Sequence, residues 1–192
     1  AWTWFIGAAV ALNLIVVYGL YYLGYKKVIG FGGILILASY FSVANGQYNS
    51  GLDVVAKGGF SNLKGKNVGV VVNHTSVDQH GKHLIQLAYD NGIQIKAVFT
   101  PEHGFTGVAG AGEKVEDGIE PLTGASIYSL YGKNNKPSPQ MLQGLDVVVF
   151  DMQDIGVRYY TYISTLTYIL EAAAENEVPI WILDRINPLG KE

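Results

Sequence analysis

No cysteine occurs in the 192 residues, which excludes disulfide frameworks and thiolate metal sites and leaves the redox compartment unread. Charge is sparse: Asp, Glu, Lys and Arg make up 15% of the chain, and the net charge of -3 gives no basic footprint. Nucleic acid is therefore not expected as a partner. An initiator Met is also lacking; the chain opens on Ala1 and stops at "NPLGKE", directly after a strand-like run, so it reads as a piece of a longer protein. A location outside the cytoplasm stays open.

What is plentiful is apolar sequence, and it is unevenly placed. Residues Trp2 to Gly24 carry no charge. As a helix rising about 1.5 Å per residue they span a bilayer core of roughly 30 Å, with aromatic residues at both ends as interfacial belts. This predicts a transmembrane helix. A second apolar run, Val28 to Ala44, follows Lys26 and Lys27. Those charges favour the cytoplasmic side, and the run reads equally as the return half of a hairpin anchor or as a secretory signal ending at "SVA". Both readings export everything after Asn45, giving a membrane-anchored or secreted product in the periplasm or on the extracellular side. A third reading assigns the first helix to an unrelated membrane protein joined upstream.

Residues 45–51, "NGQYNSG", read as a polar linker, and a soluble domain is expected over 52–192. Within it apolar runs alternate with helical patterns. Strands are expected at 67–73, 93–100, 127–132, 145–152 and 178–185, with helices at 83–92, 138–144 and 162–177. Near-continuous Val/Ile strands with helical crossovers indicate an α/β, Rossmann-like parallel sheet covered by helices on both faces.

Ligands of such sheets bind beyond the carboxyl ends of the strands. Those ends hold "NHTSVD", "PEHGF", "DMQDIGVRYYTY" and "DRINP". Asn73, His74, Glu102, His103, Asp151, Gln153, Asp154, Arg158, Tyr160, Asp184, Arg185 and Asn187 are thereby brought to one edge. Glu102 and His103 side by side suggest acid/base chemistry, and desolvation at the mouth of an apolar strand favours a carboxyl that still holds a proton. A solvated turn carboxylate is the bland alternative. His103 could orient Glu102, bond a ligand hydroxyl, or serve only the backbone.

Acid/base work of this kind commonly uses a second carboxylate. Asp151, Asp154, Asp184 and Glu113 are candidates. Asp154, in the loop with Gly156 and Arg158, is preferred over Asp151, which could simply cap its strand. Arg158 offers a planar fork matched to a carboxylate, or else a salt bridge to Asp154 or Asp184. Tyr160 is assigned to the site and Tyr159 and Tyr162 to packing. Asp184, Arg185 and Asn187 suggest a supporting polar network.

"HGKH" places His80 and His83 near each other without further ligands, and an exposed helix start is expected there rather than a metal site. "GVAGAGEKVEDG" (107–118) lacks the Gly-Lys-Ser/Thr ending of a phosphate loop and reads as a flexible site loop from which Glu113 could enter the cleft. No cofactor and no metal are expected.

Taken together, "PEHGF", "SLYG" with "KPS", "VVVFDMQDIGVRYYTY" and "ILDRINP" closely resemble the exo-β-N-acetylmuramidase (NamZ-type) family of glycoside hydrolases, from about Leu52 to the end of the chain. Ile186 departs from the Pro of that family's DRPNP-like turn, and family members continue into an auxiliary region that is missing here. The resemblance implies release of N-acetylmuramic acid from the non-reducing end of peptidoglycan fragments. It implies Glu102 as acid/base, with His103, Arg158 and Tyr160 beside it, and a second carboxylate roughly 5–5.5 Å away for retention or 6.5–9.5 Å for inversion, unless the substrate's N-acetyl group assists. A non-catalytic peptidoglycan- or sugar-binding module, and a membrane protein with an incidental soluble tail, remain as readings of other classes.

Overall fold

The computed structural model of the chain describes residues 49–102, 104, 118–132 and 134–190. Both apolar N-terminal segments, His103 and Glu113 lie outside the described residues. Among the described residues no helix is long and apolar enough to cross a membrane.

The unit opens with helix α1, Gly51–Lys57, which the sequence reading left without an element. Ser50 and Asp53 form a capping box: the Asp53 carboxylate accepts from Ser50 N at 2.8 Å, and Ser50 Oγ accepts from Asp53 N at 3.2 Å. Such a cap contributes about 0.5–2 kcal/mol, enough to matter for so short a helix. Ser50 and Gly51, read as linker from the sequence, thus belong to the folded unit. Gly51 N donates to Asp184 O at 2.7 Å, and a Cβ there would lie 2.6 Å from the Leu183 and Asp184 backbone. Seven residues are too few for a helical apolar period to stand out.

A short 3₁₀ turn at Ser61–Leu63 leads into the sheet. Its strands are β1 (Asn67–Val72), β2 (Gln94–Thr100), β3 (Gly118–Ile119), β4 (Ser126–Ser129), β5 (Val147–Asp151) and β6 (Ile180–Ile182), in the spatial order β3-β4-β2-β1-β5-β6. The helices between them are α2 (Leu84–Asp90), α3 (Pro139–Leu142) and α4 (Tyr162–Glu175). All pairings are parallel except β3 with β4. The expectation of a parallel sheet is therefore corrected at this edge. The tight turn Glu120–Gly124, closed by Glu120 N to Ala125 O and Gly124 N to Glu120 O at 2.8 Å each, can join only antiparallel strands. The last strand starts at Ile180, because Pro179 has no N–H with which to extend the ladder, although its carbonyl still accepts from Val148 N at 2.8 Å.

Side chains alternate between two apolar layers. Val68, Val70 and Val72 of β1 pack with Ile95, Val98, Val147 and Val149 against Leu52 of α1 and Leu84, Ile85 and Ala88 of α2. Val71, Ala97, Phe99, Val148 and Phe150 face the other way, onto Leu142 of α3 and Tyr162, Ile169 and Ala172 of α4. Each fully buried aliphatic side chain contributes about 1.5–3 kcal/mol, so the central strands anchor the unit from both sides. The six-stranded α/β sheet with helices on both faces is Rossmann-like. Every parallel strand delivers its carboxyl end to the same edge.

Candidate active site

At that edge, Glu102 occupies a turn closed by Gly104 N donating to Pro101 O at 3.0 Å, with Gly104 at φ 69°, a value that favours glycine. The turn leaves the Glu102 side chain half-buried. Thr161, the residue before α4, donates its hydroxyl to Glu102 Oε2 at 3.3 Å. Tyr131, just past β4, lies near Glu102; the neighbouring carboxylate, aided by desolvation, pushes the Tyr131 phenol above its ordinary pKa because a phenolate beside it is disfavoured. Tyr131 and Thr161 were not singled out from the sequence. The "SLYG" motif held the only signal for Tyr131, and a Thr before a helix reads first as a cap.

Behind Glu102 runs a chain of buried polar contacts. Asn73 is fully buried; its Nδ2 donates to the Tyr162 hydroxyl at 2.7 Å, and its Oδ1 accepts from Thr75 N at 2.9 Å and Thr75 Oγ1 at 2.6 Å. Thr75 Oγ1 in turn accepts from Gln153 N at 3.0 Å, and Gln153 Nε2 reaches Asp154 O at 2.8 Å and Ile186 O at 2.9 Å. The loops after β1, β5 and β6 are therefore stitched together. Burial is the main cause that pushes the Tyr162 phenol well above its usual range, with contact to Tyr160 adding to it. The Tyr160 ring is half-buried and meets Tyr162 edge-on, with centroids 4.5 Å apart.

Asp151 and Arg185 form the deepest charged pair. Arg185 grips the carboxylate with Nε at 2.6 Å and a terminal nitrogen at 2.9 Å, and also donates to Val77 O at 3.1 Å. Burial pushes the Asp151 carboxyl above its ordinary value even though Arg185 pulls the other way. Ser76 Oγ donates to Asp151 O. His83 caps α2: its Nδ1 accepts from Ile85 N at 3.2 Å and its Nε2 bonds Asn73 O at 2.9 Å. Burial lowers its pKa, and the neutral ring with a proton on Nε2 fits both contacts. The exposed helix start expected at "HGKH" is thus corrected for His83, which is half-buried and bonded, whereas His80 is exposed. Among the described residues no cluster of three or more His, Asp or Glu could hold a metal ion.

Asp154 lies half-buried past β5. Its Oδ1 accepts from Gly156 N at 2.6 Å, while its Oδ2 is buried without a partner among the described residues. A Cβ on Gly156, at φ 77°, would sit 2.2 Å from Asn187 Oδ1. Asn187 itself is exposed and accepts from Leu189 N at 3.0 Å. Arg158, Asp184 and His74 are exposed, and no salt bridge joins Arg158 to Asp154 or Asp184. Tyr159 corrects its assignment to packing: it is 85% exposed, because the turn ahead of α4, closed by Tyr160 N to Val157 O at 3.0 Å, directs only Tyr160 inward. Tyr162 does pack, at 2% exposure.

Chemically, the edge combines a half-buried carboxyl bonded by the Thr161 hydroxyl, a second carboxylate with one oxygen unpartnered among the described residues, a guanidinium without an ion pair among the described residues and the exposed ring of Tyr159. Three comparisons bear on this arrangement. Residues 68–192 match the family described as exo-beta-N-acetylmuramidase NamZ, N-terminal. The chain is 44% identical over 145 residues to the peptidoglycan beta-N-acetylmuramidase NamZ of Bacillus subtilis (strain 168), covering 75% of this chain and 35% of that protein. Crystal structures of two DUF1343 family proteins from Bacteroides fragilis NCTC 9343 superpose with TM-scores of 0.67 and 0.60, at 42% and 35% identity. The alignments cover 74% and 73% of this chain and 35% of each of those chains. The chain thus spans about a third of the length of the relatives it matches. With the family match extending over most of the sheet and all of the strand-end motifs after β1, the chain belongs to the NamZ exo-beta-N-acetylmuramidase family, in its N-terminal part.

Proposed function

We propose that the protein is an exo-acting glycoside hydrolase that releases N-acetylmuramic acid from the non-reducing end of peptidoglycan fragments. The observation that carries this reading is the 44% identity to a curated peptidoglycan beta-N-acetylmuramidase, with Glu102 in a held turn on the ligand-binding edge. In the proposed reaction Glu102 protonates the bridging oxygen as the bond to the anomeric carbon breaks, and water completes the cleavage. The unpartnered Asp154 Oδ2 supports Asp154 as the second carboxylate, able to take a proton from water or to stabilise positive charge at the anomeric carbon. His103 is assigned beside Glu102 from the motif alone. Asn73, Asp151, Gln153 and Arg185 support the loops from behind, and Tyr160, Asp184 and Asn187 complete the substrate edge. The charge pattern of residues 2–44 further supports export with a membrane tether, fitting a substrate made outside the cytoplasm.

Incubating the intact protein with a disaccharide of N-acetylmuramic acid β-1,4-linked to N-acetylglucosamine tests the reading. Free N-acetylmuramic acid is the expected product. A protein that retains muropeptides without liberating this sugar is instead a binding module.

Arg158 makes no ion pair among the described residues and is exposed at the edge, which suits it to the lactyl carboxylate that distinguishes muramic acid from glucosamine. Arg158→Leu is expected to raise KM for the muramic substrate about 10- to 100-fold, equivalent to losing roughly 1.5–3 kcal/mol of a charged hydrogen bond. Hydrolysis of a matched glucosamine glycoside, already slow, should change little. Equal losses on both substrates would remove Arg158 from lactyl recognition.

A further inference from the structure

We infer that Tyr131 and Thr161 are positioning residues for this reaction, two hydroxyls from different elements that hold the Glu102 carboxyl and stabilise the charge left on it when its proton departs. The inference rests on the reading of Glu102 as proton donor. Thr161 stands at the N-cap of α4, where a Thr hydroxyl ordinarily accepts a backbone N–H of the first turn. Here it makes no such bond and donates instead to Glu102 Oε2 at 3.3 Å. Its αR backbone, at φ -80° and ψ -11°, keeps the hydroxyl from the first-turn N–H groups and leaves it for a carboxylate on another loop.

Tyr131 approaches from the adjacent strand. Leu130 N donates to Thr100 O at 2.8 Å, so the ends of β2 and β4 are locked together one residue before Tyr131 and two before Glu102. From that fixed point the half-buried Tyr131 side chain lies beside the Glu102 turn, near enough for the carboxylate to disfavour its phenolate. As the glycosidic bond breaks, the proton passes from Glu102 to the bridging oxygen, the bonding pair stays on that oxygen, and Glu102 becomes a carboxylate. The Thr161 hydroxyl already bonds this carboxyl and the Tyr131 hydroxyl lies near it, and hydrogen bonds to a carboxylate are about twice as strong as those to a neutral acid. Their stabilisation is therefore greater late in the proton transfer than before it, which is the condition for accelerating the step.

The test compares kcat/KM on two substrates of the intact protein: the muramic-acid disaccharide, whose sugar leaving group needs protonation, and a 4-nitrophenyl β-N-acetylmuramide, whose leaving group departs without it. Tyr131→Phe is expected to lower kcat/KM on the disaccharide by about 10- to 100-fold, and on the aryl glycoside by less than about 3-fold, a fraction of what a general acid provides. Thr161→Val should act in the same direction with a smaller effect, and carries the test alone if Tyr131→Phe does not fold by thermal melting. A wild-type protein that cleaves neither substrate overturns the glycosidase reading itself. A Glu102→Gln variant whose losses are equal on both substrates overturns Glu102 as donor. If Glu102→Gln shows the leaving-group dependence while Tyr131→Phe and Thr161→Val lose equally on both, the positioning role alone is wrong.

Discussion

Replacing Glu102 with Gln in the intact protein is expected to reduce release of N-acetylmuramic acid from the disaccharide by about 10²- to 10⁴-fold, the range that a positioned general acid or base supplies. Gln keeps the shape and an oxygen that accepts the Thr161 hydroxyl, so the Pro101–Gly104 turn and its contact with α4 are preserved. What it lacks is an acidic proton for the bridging oxygen. The loss should therefore fall on kcat with KM nearly unchanged, because binding of the ground-state sugar does not depend on that proton. Thermal unfolding should match the wild type to within about 0.5 kcal/mol, as for an exposed or half-exposed polar substitution. Near-normal turnover by a folded Glu102→Gln protein would take Glu102 out of the chemistry and transfer the role of donor to another carboxylate.

The largest effect on stability is expected at Arg185. The Asp151 side chain is wholly buried and that of Arg185 is 11% exposed, so Arg185→Leu leaves a buried carboxylate without its counter-charge. Removing one partner of such a pair costs about 3–5 kcal/mol, most of it the desolvation of the remaining ion. Urea unfolding should show the loss, and Asp151→Leu combined with Arg185→Leu should recover part of it.

The sign of the pH dependence follows from the direction of the Asp151 shift. Its folded pKa lies above the unfolded value of 3.8, so the folded state holds that proton more tightly. The stability that protonated Asp151 contributes is present below about 3.8 and is lost as the pH rises through the folded pKa. Arg185 is the main group that pulls this pKa down, so its removal widens the window upward. The deficit of Arg185→Leu should therefore be smallest in acid and grow toward neutral pH. A deficit independent of pH would mean that lost packing, not an uncompensated charge, accounts for it.

The central strands were legible because burial on both faces demands unbroken apolar runs: β1, β2 and β5 fall where "NVGVVV", "QIKAVFT" and "VVVFD" stand. Helix α4 was legible from its length and its apolar period, and α2 from its stop at Gly92. The elements that escaped are those held by tertiary contacts. Helix α1 depends on a capping box and on Gly51 against the end of β6, and β3 on a tight turn organised by the buried Glu120 carboxylate, which accepts from Leu122 N at 3.2 Å and Thr123 N at 2.7 Å.

At the site, the chain order of strands predicted the edge, since parallel strands must put their ends together. It did not predict which side chains there are occupied. Asn73 and Arg185 look in sequence like free polar groups, yet the fold commits them to Tyr162 and Asp151. Tyr159 and Tyr160 are neighbours with opposite exposure, a distinction that depends on one turn rather than on composition. Arg158 could have paired with Asp154 four residues earlier, but such spacing brings side chains together only on a helix, and this stretch is a loop.

The spatial order of the sheet also has a bearing on how the protein is made. Strand β1 has β2 on one side, from nearby in the chain, and β5 on the other, from far downstream. During synthesis β1 therefore waits with one edge open while the intervening helices, β4 and the Glu120 turn emerge, at a rate of about 5–20 residues per second. Closing so long a loop is slow compared with local pairing. The Glu102 turn and Tyr131 can meet before Thr161, Asp151 and Asp154 exist on the ribosome-bound chain. The nascent domain is thus exposed along its most apolar strand until β5 arrives, which makes that interval, rather than the finished fold, the point at which a chaperone has most to protect.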